Sequence, residues 1–189
     1  NKLKWTEDFD KIKNVSFTLG RNFQSLGANN NDYVLGFQAN YADVFSTLHF
    51  LSAQTSLNYF LSKNGEKQDG QFEVNIRYRA KIRSNLNGSA LTHWKNNIGK
   101  LPTDQLLLGE SNGLNGYPNF YFANQNLILL NTELIMIPDM EFLTVIPAMA
   151  VFASAGNTFS NPEKLELNNL HSAIGIGLRL GLSRSAEKS

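Results

Sequence analysis

From Gln71 to Arg83 the chain alternates without a break. Phe72, Val74, Ile76, Tyr78, Ala80 and Ile82 are apolar, while Gln71, Glu73, Asn75, Arg77, Arg79, Lys81 and Arg83 between them are polar or charged. Successive side chains of a strand point to opposite faces, so this segment predicts one strand with an apolar face and a wet face. It exceeds the roughly 5–6 residues of an average globular strand. It is long enough for the about 9–11 residues with which a tilted strand crosses a bilayer. Length and two-faced pattern together predict an all-β fold, a transmembrane antiparallel β-barrel.

The same alternation predicts six more strands. Over 15–23, Val15, Phe17, Leu19 and Phe23 share a face, with Arg21 interrupting it. Over 33–42, Tyr33, Leu35, Phe37, Ala39 and Tyr41 oppose Gly36, Gln38 and Asn40. Over 50–61, Leu51, Ala53, Leu57 and Tyr59 oppose Ser52, Gln54, Ser56 and Asn58. Further strands follow at 127–136, 145–156 and 171–182; in the first, Leu127, Leu129, Asn131 and Glu133 share one face. The segment 84–119 shows no period and is rich in Asn, Gly, Ser and Pro, so it reads as one long loop. A loop of that length is more often functional than a bare connector. Nothing divides the 189 residues into two domains, so 1–189 reads as one.

Composition narrows the classes. Hydrophobic residues make up 42% of the chain, yet no run approaches the roughly 18 apolar residues of a membrane-spanning helix. Charged residues are 17%, below the roughly 25% of ordinary soluble domains. A net charge of +1 gives no electrostatic footprint for nucleic acid. With no cysteine, disulfides and thiolate metal sites are excluded. A soluble sandwich or a lipocalin-type carrier of lipophilic ligands would also alternate, with its apolar face turned inward. Against it, the polar faces here are small and neutral, whereas soluble surfaces carry more charge.

One constellation is more specific. The long loop contains Leu106-Leu-Leu-Gly-Glu-Ser-Asn-Gly-Leu-Asn-Gly-Tyr-Pro118; Asn131-Thr-Glu-Leu134, Val151-Phe-Ala-Ser-Ala-Gly156 and Gly175-Ile-Gly-Leu-Arg-Leu180 follow. Their order and spacing resemble the C-terminal part of the bacterial surface-antigen barrel family. Its superfamily includes the outer-membrane barrel-assembly insertases and the two-partner-secretion transporters. The resemblance covers roughly residues 100–182; upstream only the strand pattern supports it. It implies a sixteen-stranded barrel in the bacterial outer membrane, no enzymatic activity and no cofactor or metal. It also implies that 84–119 folds back into the lumen, its motif being Gly113, Leu114, Asn115, Gly116 and Tyr117. The partners implied are the lipid bilayer, the remaining barrel strands or another chain that completes the barrel, and client outer-membrane or secreted polypeptides.

Two positions depart from the family pattern. Asn115 stands where the family has the loop arginine, and Ser154 where it has an aspartate of the wall motif Phe152 to Gly156. These two are expected to replace a charged latch with a neutral hydrogen bond, worth about 0.5–1.5 kcal/mol. Glu133 keeps its place and needs a new cation, expected to be Arg179, Arg77 or Arg79. Arg77, Arg79 and Lys81 read as a basic stripe on the lumen wall, of the kind that biases a pore towards anions.

Other signals are weaker. Gly175 to Gly181 lacks the spacing and the helix of a dinucleotide fingerprint. His49, His93 and His171 are scattered without metal spacing, and His171 reads as a rim residue. Tyr33, Tyr41, Tyr59, Tyr78 and Tyr121 suit the aromatic girdles of a barrel. With the long loop outside, 62–70 and 137–142 become periplasmic turns and 156–170 an outer loop; 43–47 is then oddly short for an outer loop. Seven strands cannot close the barrel, so the chain reads as a segment of a longer wall. A barrel that only anchors an N-terminal enzyme or adhesin domain is the alternative.

Overall fold

The computed structural model describes residues 11–27, 31–62, 68–99, 103–140, 142–143, 145–160 and 169–182. It is an all-β, antiparallel structure. Eight strands form one sheet: β1 (Ile12–Arg21), β2 (Asp32–Ser46), β3 (His49–Ser62), β4 (Gln68–Arg83), β5 (Leu86–Ile98), β8 (Asn126–Met136), β9 (Val145–Phe159) and β10 (His171–Leu182). Their order in space is the order in sequence. The short strands β6 (Leu106–Leu108) and β7 (Phe122–Asn124) pair with each other outside that sheet. The first and last strands of the sheet, β1 and β10, are not paired with one another.

The strand β5 corrects the reading of 84–119 as a loop. Leu86, Gly88, Ala90, Thr92 and Trp94 alternate with Asn87, Ser89, Leu91, His93 and Lys95, and the strand pairs with β4 along almost its whole length. Small residues and an Asn-Gly-Ser start hide the period. The pairing with β4 and β8 supplies the backbone hydrogen bonds that the side chains do not advertise. The loop proper runs from Ile98 to Asn126 and contains β6 and β7.

The extra pass also corrects the assignment of the connections to the two ends. The β1–β2, β3–β4 and β9–β10 connections and the long loop now share one end, here the loop end. The opposite end holds the turn at Thr47 and Leu48, the turn at Ser84 and Asn85, and the β8–β9 connection. The short link after β2 therefore lies among other short turns, and the 62–70 link moves to the loop end.

The register sorts the side chains into two faces. Cross-strand partners share a face, and one row reads Phe17, Phe37, Leu57, Phe72, Asn96, Asn126 and Phe159. Its face carries most of the exposed hydrophobics of the sheet, from Phe17 and Leu19 on β1 to Ile174 and Ile176 (both 80% exposed) on β10; on β3 its apolar residues are half-buried. Among the described residues no second layer covers it. Phe72 meets Trp94 of the neighbouring strand edge-on, with ring centroids 5.5 Å apart, rather than a facing sheet. The other face is polar along β1 to β5, with Asn14 and Asn40 joined by a 2.8 Å hydrogen bond across the β1–β2 pair.

The apolar band runs obliquely across the strands. One row of cross-strand partners joins Lys13, Tyr41, Ala53, Ile76, Thr92, Leu130, Ala155 and Ser172. On β1 the apolar residues Val15, Phe17 and Leu19 lie wholly on the loop side of this row. On β10 Ile174, Ile176, Leu178 and Leu180 lie wholly on its other side.

A proline tests β5 directly, because it removes a ladder donor from an interior strand but costs a loop little. Thr92→Pro is expected to destabilise the protein by about 3 kcal/mol or more in urea unfolding. A loss below about 1 kcal/mol, typical of a tolerant surface position, would mean that 86–98 is not an interior strand.

Candidate functional site

The polar face changes character at β8. Leu127 and Leu129 point to it and need apolar cover; they are 4% and 2% exposed. The long loop supplies that cover. Leu108 at the end of β6 and Leu114 in the motif have no exposed surface and pack with Leu127 and Leu129, flanked by Leu106, Tyr117 and Phe122. This cluster is the one hydrophobic core among the described residues. Gly156 makes room for it. A Cβ there would lie 2.8 Å from the carbonyl oxygen of Ile128 and 3.1 Å from Leu108 Cδ2, closer than packed atoms tolerate.

The loop between β6 and β7 is folded on itself. A single 3-10 turn at Glu110–Asn112 ends on Gly113, which has φ 104°, a left-handed backbone that favours glycine. A side chain there would also meet Asn131 Nδ2 at 2.9 Å. The amides of Leu114 and Glu110 donate to the carbonyls of Gly109 (3.0 Å) and Tyr117 (3.2 Å). Asn119 Oδ1 accepts from the Ser111 amide at 2.8 Å. At its base, Asn97 on β5 ties both arms. Its side-chain amide donates to the Asp104 carbonyl (2.8 Å) and its backbone amide to that of Gln125 (2.9 Å). Gln71 on β4 donates in turn to Asn97 Oδ1 at 2.8 Å.

Aromatic residues hold the tip against β10. Phe122 stacks on His171 with centroids 4.3 Å apart, and Tyr117 meets the same imidazole edge-on at 5.9 Å. The Tyr117 hydroxyl donates to the Ser172 carbonyl at 3.2 Å. Tyr121 packs on Tyr117 and Phe122, so it belongs to the loop cluster and not to a girdle. His171 serves the loop rather than a rim.

The motif residues Gly113 to Tyr117 therefore lie across the Asn131, Ser154 and Ala173 row. The neutral latch expected between Asn115 and Ser154 does not form. Ser154 Oγ is buried without a hydrogen-bond partner, as is Asn131 Oδ1 beside it. Apolar burial and the Asn97 tie hold the loop instead, so a side-chain latch is not needed to seat it.

Glu133 finds its cation. Of the three arginines considered, Arg179 pairs with it, from two strands away. In register Glu133 lies opposite Phe152, and Arg179 opposite Ala148, with Ala150 between them on β9. Alanines at 148 and 150 leave the surface low enough for the guanidinium to cross. Phe152 fills the space over Gly175, where a Cβ would run into its ring. The Arg179 side chain is 57% exposed, so the pair contributes little beyond about 1 kcal/mol.

Arg77, Arg79 and Lys81 share the polar face towards the short-turn end, opposite Ser52, Phe50 and small or neutral β5 residues. Nearer the loop end, Glu73 is met by His93 Nε2 at 3.0 Å and Lys95 Nζ at 3.3 Å. That cluster escaped the sequence reading because His93 and Lys95 sit on the unrecognised β5. The polar face thus offers a charged wall on β4 and β5 and a seated loop over β8 to β10.

No protein-family model, no curated protein and no solved structure matches this chain.

Removal of the buried anchor should free the loop, and removal of the motif asparagine should not. Leu114→Ala is expected to cost about 2–5 kcal/mol and to expose 103–125 to limited proteolysis. Asn115→Ala is expected to change stability by less than about 0.5 kcal/mol. Equal cleavage rates in the two variants would show that Leu114 does not anchor the loop.

Proposed function

We propose that this chain is part of the wall of a bacterial outer-membrane β-barrel, with its apolar face against lipid and its polar face lining an aqueous interior narrowed by the seated loop. The observation that carries the reading is the uncovered apolar face and its oblique course. The largest apolar patch on a typical soluble monomer is about 300–600 Å², whereas here large exposed hydrophobics occur on seven of the eight strands of the sheet, β3 being the exception. A soluble sandwich would place a second layer there.

The slant of the band has the magnitude of barrel tilt. Along β1 the loop-side limit of the band is Arg21, and on β10 it is Ser172, which shares a row with Lys13. The limit therefore slips by the eight residues from Lys13 to Arg21 over the seven steps from β1 to β10. At about 3.4 Å per residue and about 4.8 Å between strands, that is a tilt of about 40°. Transmembrane barrels tilt their strands by about 35–45°.

The same slant levels the rims. It brings Arg21, Tyr59, Trp94, Asn126, Asn157 and Ser172 to within about two residues of one line, as expected of an interfacial girdle. Lys13, Tyr41, Asp43, His49 and Tyr78 form a second line. The two lines are about 22 Å apart along the membrane normal, against about 25 Å for the apolar band of outer-membrane barrels.

A role in passing or inserting client polypeptides rests on the motif resemblance together with the position of the Gly113–Tyr117 loop on the polar face. The exposed faces alone do not favour it over an anchoring barrel.

Charge placed at the mid-height of each face tests the assignment. Ile176→Arg is expected to cost about 2–4 kcal/mol in reversible unfolding from phospholipid vesicles. Ser56→Arg, on the polar face, is expected to cost under about 1 kcal/mol. The reverse ranking, or recovery of the wild type in the soluble fraction rather than with floated membranes, would reject the lipid-facing reading.

A further inference from the structure

We propose that Lys11, Lys13, Asp43 and Tyr41 form a site for the phosphate group of an anionic phospholipid at the short-turn rim of the apolar face. The inference rests on the lipid-facing reading above. Among the described strand residues, leaving aside Arg83 beyond the β4 bulge, the strands place only Lys13, Arg21 and Asp43 as formally charged side chains on that face. Lys11, just before β1, joins them through Asp43. Arg21 lies at the other rim, over the rings of Phe23 and Tyr33. Lys13 and Asp43 therefore sit where the tilted sheet meets the headgroups.

The cluster is built so that its anion is used up and its cations are not. Asp43 Oδ1 accepts from Lys11 Nζ at 3.0 Å and from the Val44 amide at 2.8 Å. Its Oδ2 accepts from the Tyr41 hydroxyl at 3.4 Å and lies 3.9 Å from Lys13 Nζ. The carboxylate is thus pinned by its own strand. Lys13 has only that long contact and the Tyr41 ring, 5.4 Å from its ammonium. Two ammonium groups share one carboxylate, which leaves one positive charge over. Both lysine side chains are about two-thirds exposed (68% and 67%), whereas Asp43 is 16% exposed.

A phosphate diester fits this arrangement. Lysine ammonium groups are strongly hydrated point charges with several donors each, and long stems let them keep the headgroup level while their methylenes lie along apolar surface. A phosphate oxygen bridging Lys11 and Lys13 would take up the donors that Asp43 leaves free. Tyr41 supplies the interfacial ring and fixes Lys13 above it. A zwitterionic headgroup brings its own cation, which meets the surplus lysine charge unfavourably, so the site should prefer a net-negative lipid.

Native mass spectrometry of the detergent-solubilised full chain, titrated with dioleoyl phosphatidylglycerol or dioleoyl phosphatidylcholine, tests the site. Wild type is expected to retain phosphatidylglycerol at several-fold lower lipid concentration than phosphatidylcholine. K11Q/K13Q, which changes two exposed side chains, should lose that preference. D43N should increase phosphatidylglycerol retention, because it removes the competing anion; a merely structural cluster would lose lipid with either change. Unchanged preference in K11Q/K13Q, or a fall in D43N, would overturn the proposal while leaving general lipid retention, and the lipid-facing reading, intact. Retention of neither lipid by a wild-type chain that stays soluble without detergent would overturn both.

Discussion

A single antiparallel sheet has two faces, and each must find its own solvent. Here strands of 10 to 16 residues carry an apolar band on one face and mostly polar residues on the other. The backbone ladder cannot resolve the conflict, because a shift of one residue would exchange the faces everywhere. On the lipid-facing reading, one face meets an apolar medium and the other water. On that reading the oblique band and the uncovered hydrophobics follow from this constraint.

The loop is the exception that shows how local the constraint is. Where β8 turns Leu127 and Leu129 to the polar face, the chain builds a small core of its own by returning Leu108 and Leu114 over them. Burying such a side chain contributes about 1.5–3 kcal/mol, more than the pair of half-buried Glu133 and exposed Arg179 can. The ranking explains why the loop stays seated while Ser154 Oγ and Asn131 Oδ1 remain without partners. The loop's position is set by shape and apolar area. Its polar contacts, through Asn97 and the Tyr117 hydroxyl, fix the base and the tip.

Legibility in the sequence followed side-chain contrast. β4 was evident because each residue from Phe72 to Ile82 is clearly apolar or clearly polar. β5 was not, since Gly88, Ala90 and Thr92 contrast weakly with Ser89 and Leu91, and its pairing is dictated by β4 and β8. Missing one pass exchanged the ends of the connections upstream of β5, while the β8–β9 and β9–β10 connections keep the ends expected of them. Leu127 and Leu129 were visible as apolar residues on a polar face, and that misplacement was the signal for the loop core. The Glu133 and Arg179 pair was legible because an inward carboxylate needs a cation. The Asn115 latch was carried over by analogy, and the geometry replaced it with packing.

The same constraint bears on the sheet's edges. In lipid, every unpaired backbone amide or carbonyl costs several kcal/mol, and β1 and β10 do not satisfy one another. Their side chains match the demand: Phe17 and Leu19 on one edge and Ile174 and Ile176 on the other continue the apolar band up to the last strand. A protein that ended its sheet in water would blunt those edges with charge, proline or bulges. β10 carries Gly175, Gly177 and Gly181 on its polar face instead, and nothing described lies within 4 Å of a Cβ at Gly177. With open space over Gly177, this edge has room to receive another strand. On the lipid-facing reading, neighbouring strands on both sides are then a condition of stability, whichever polypeptide supplies them.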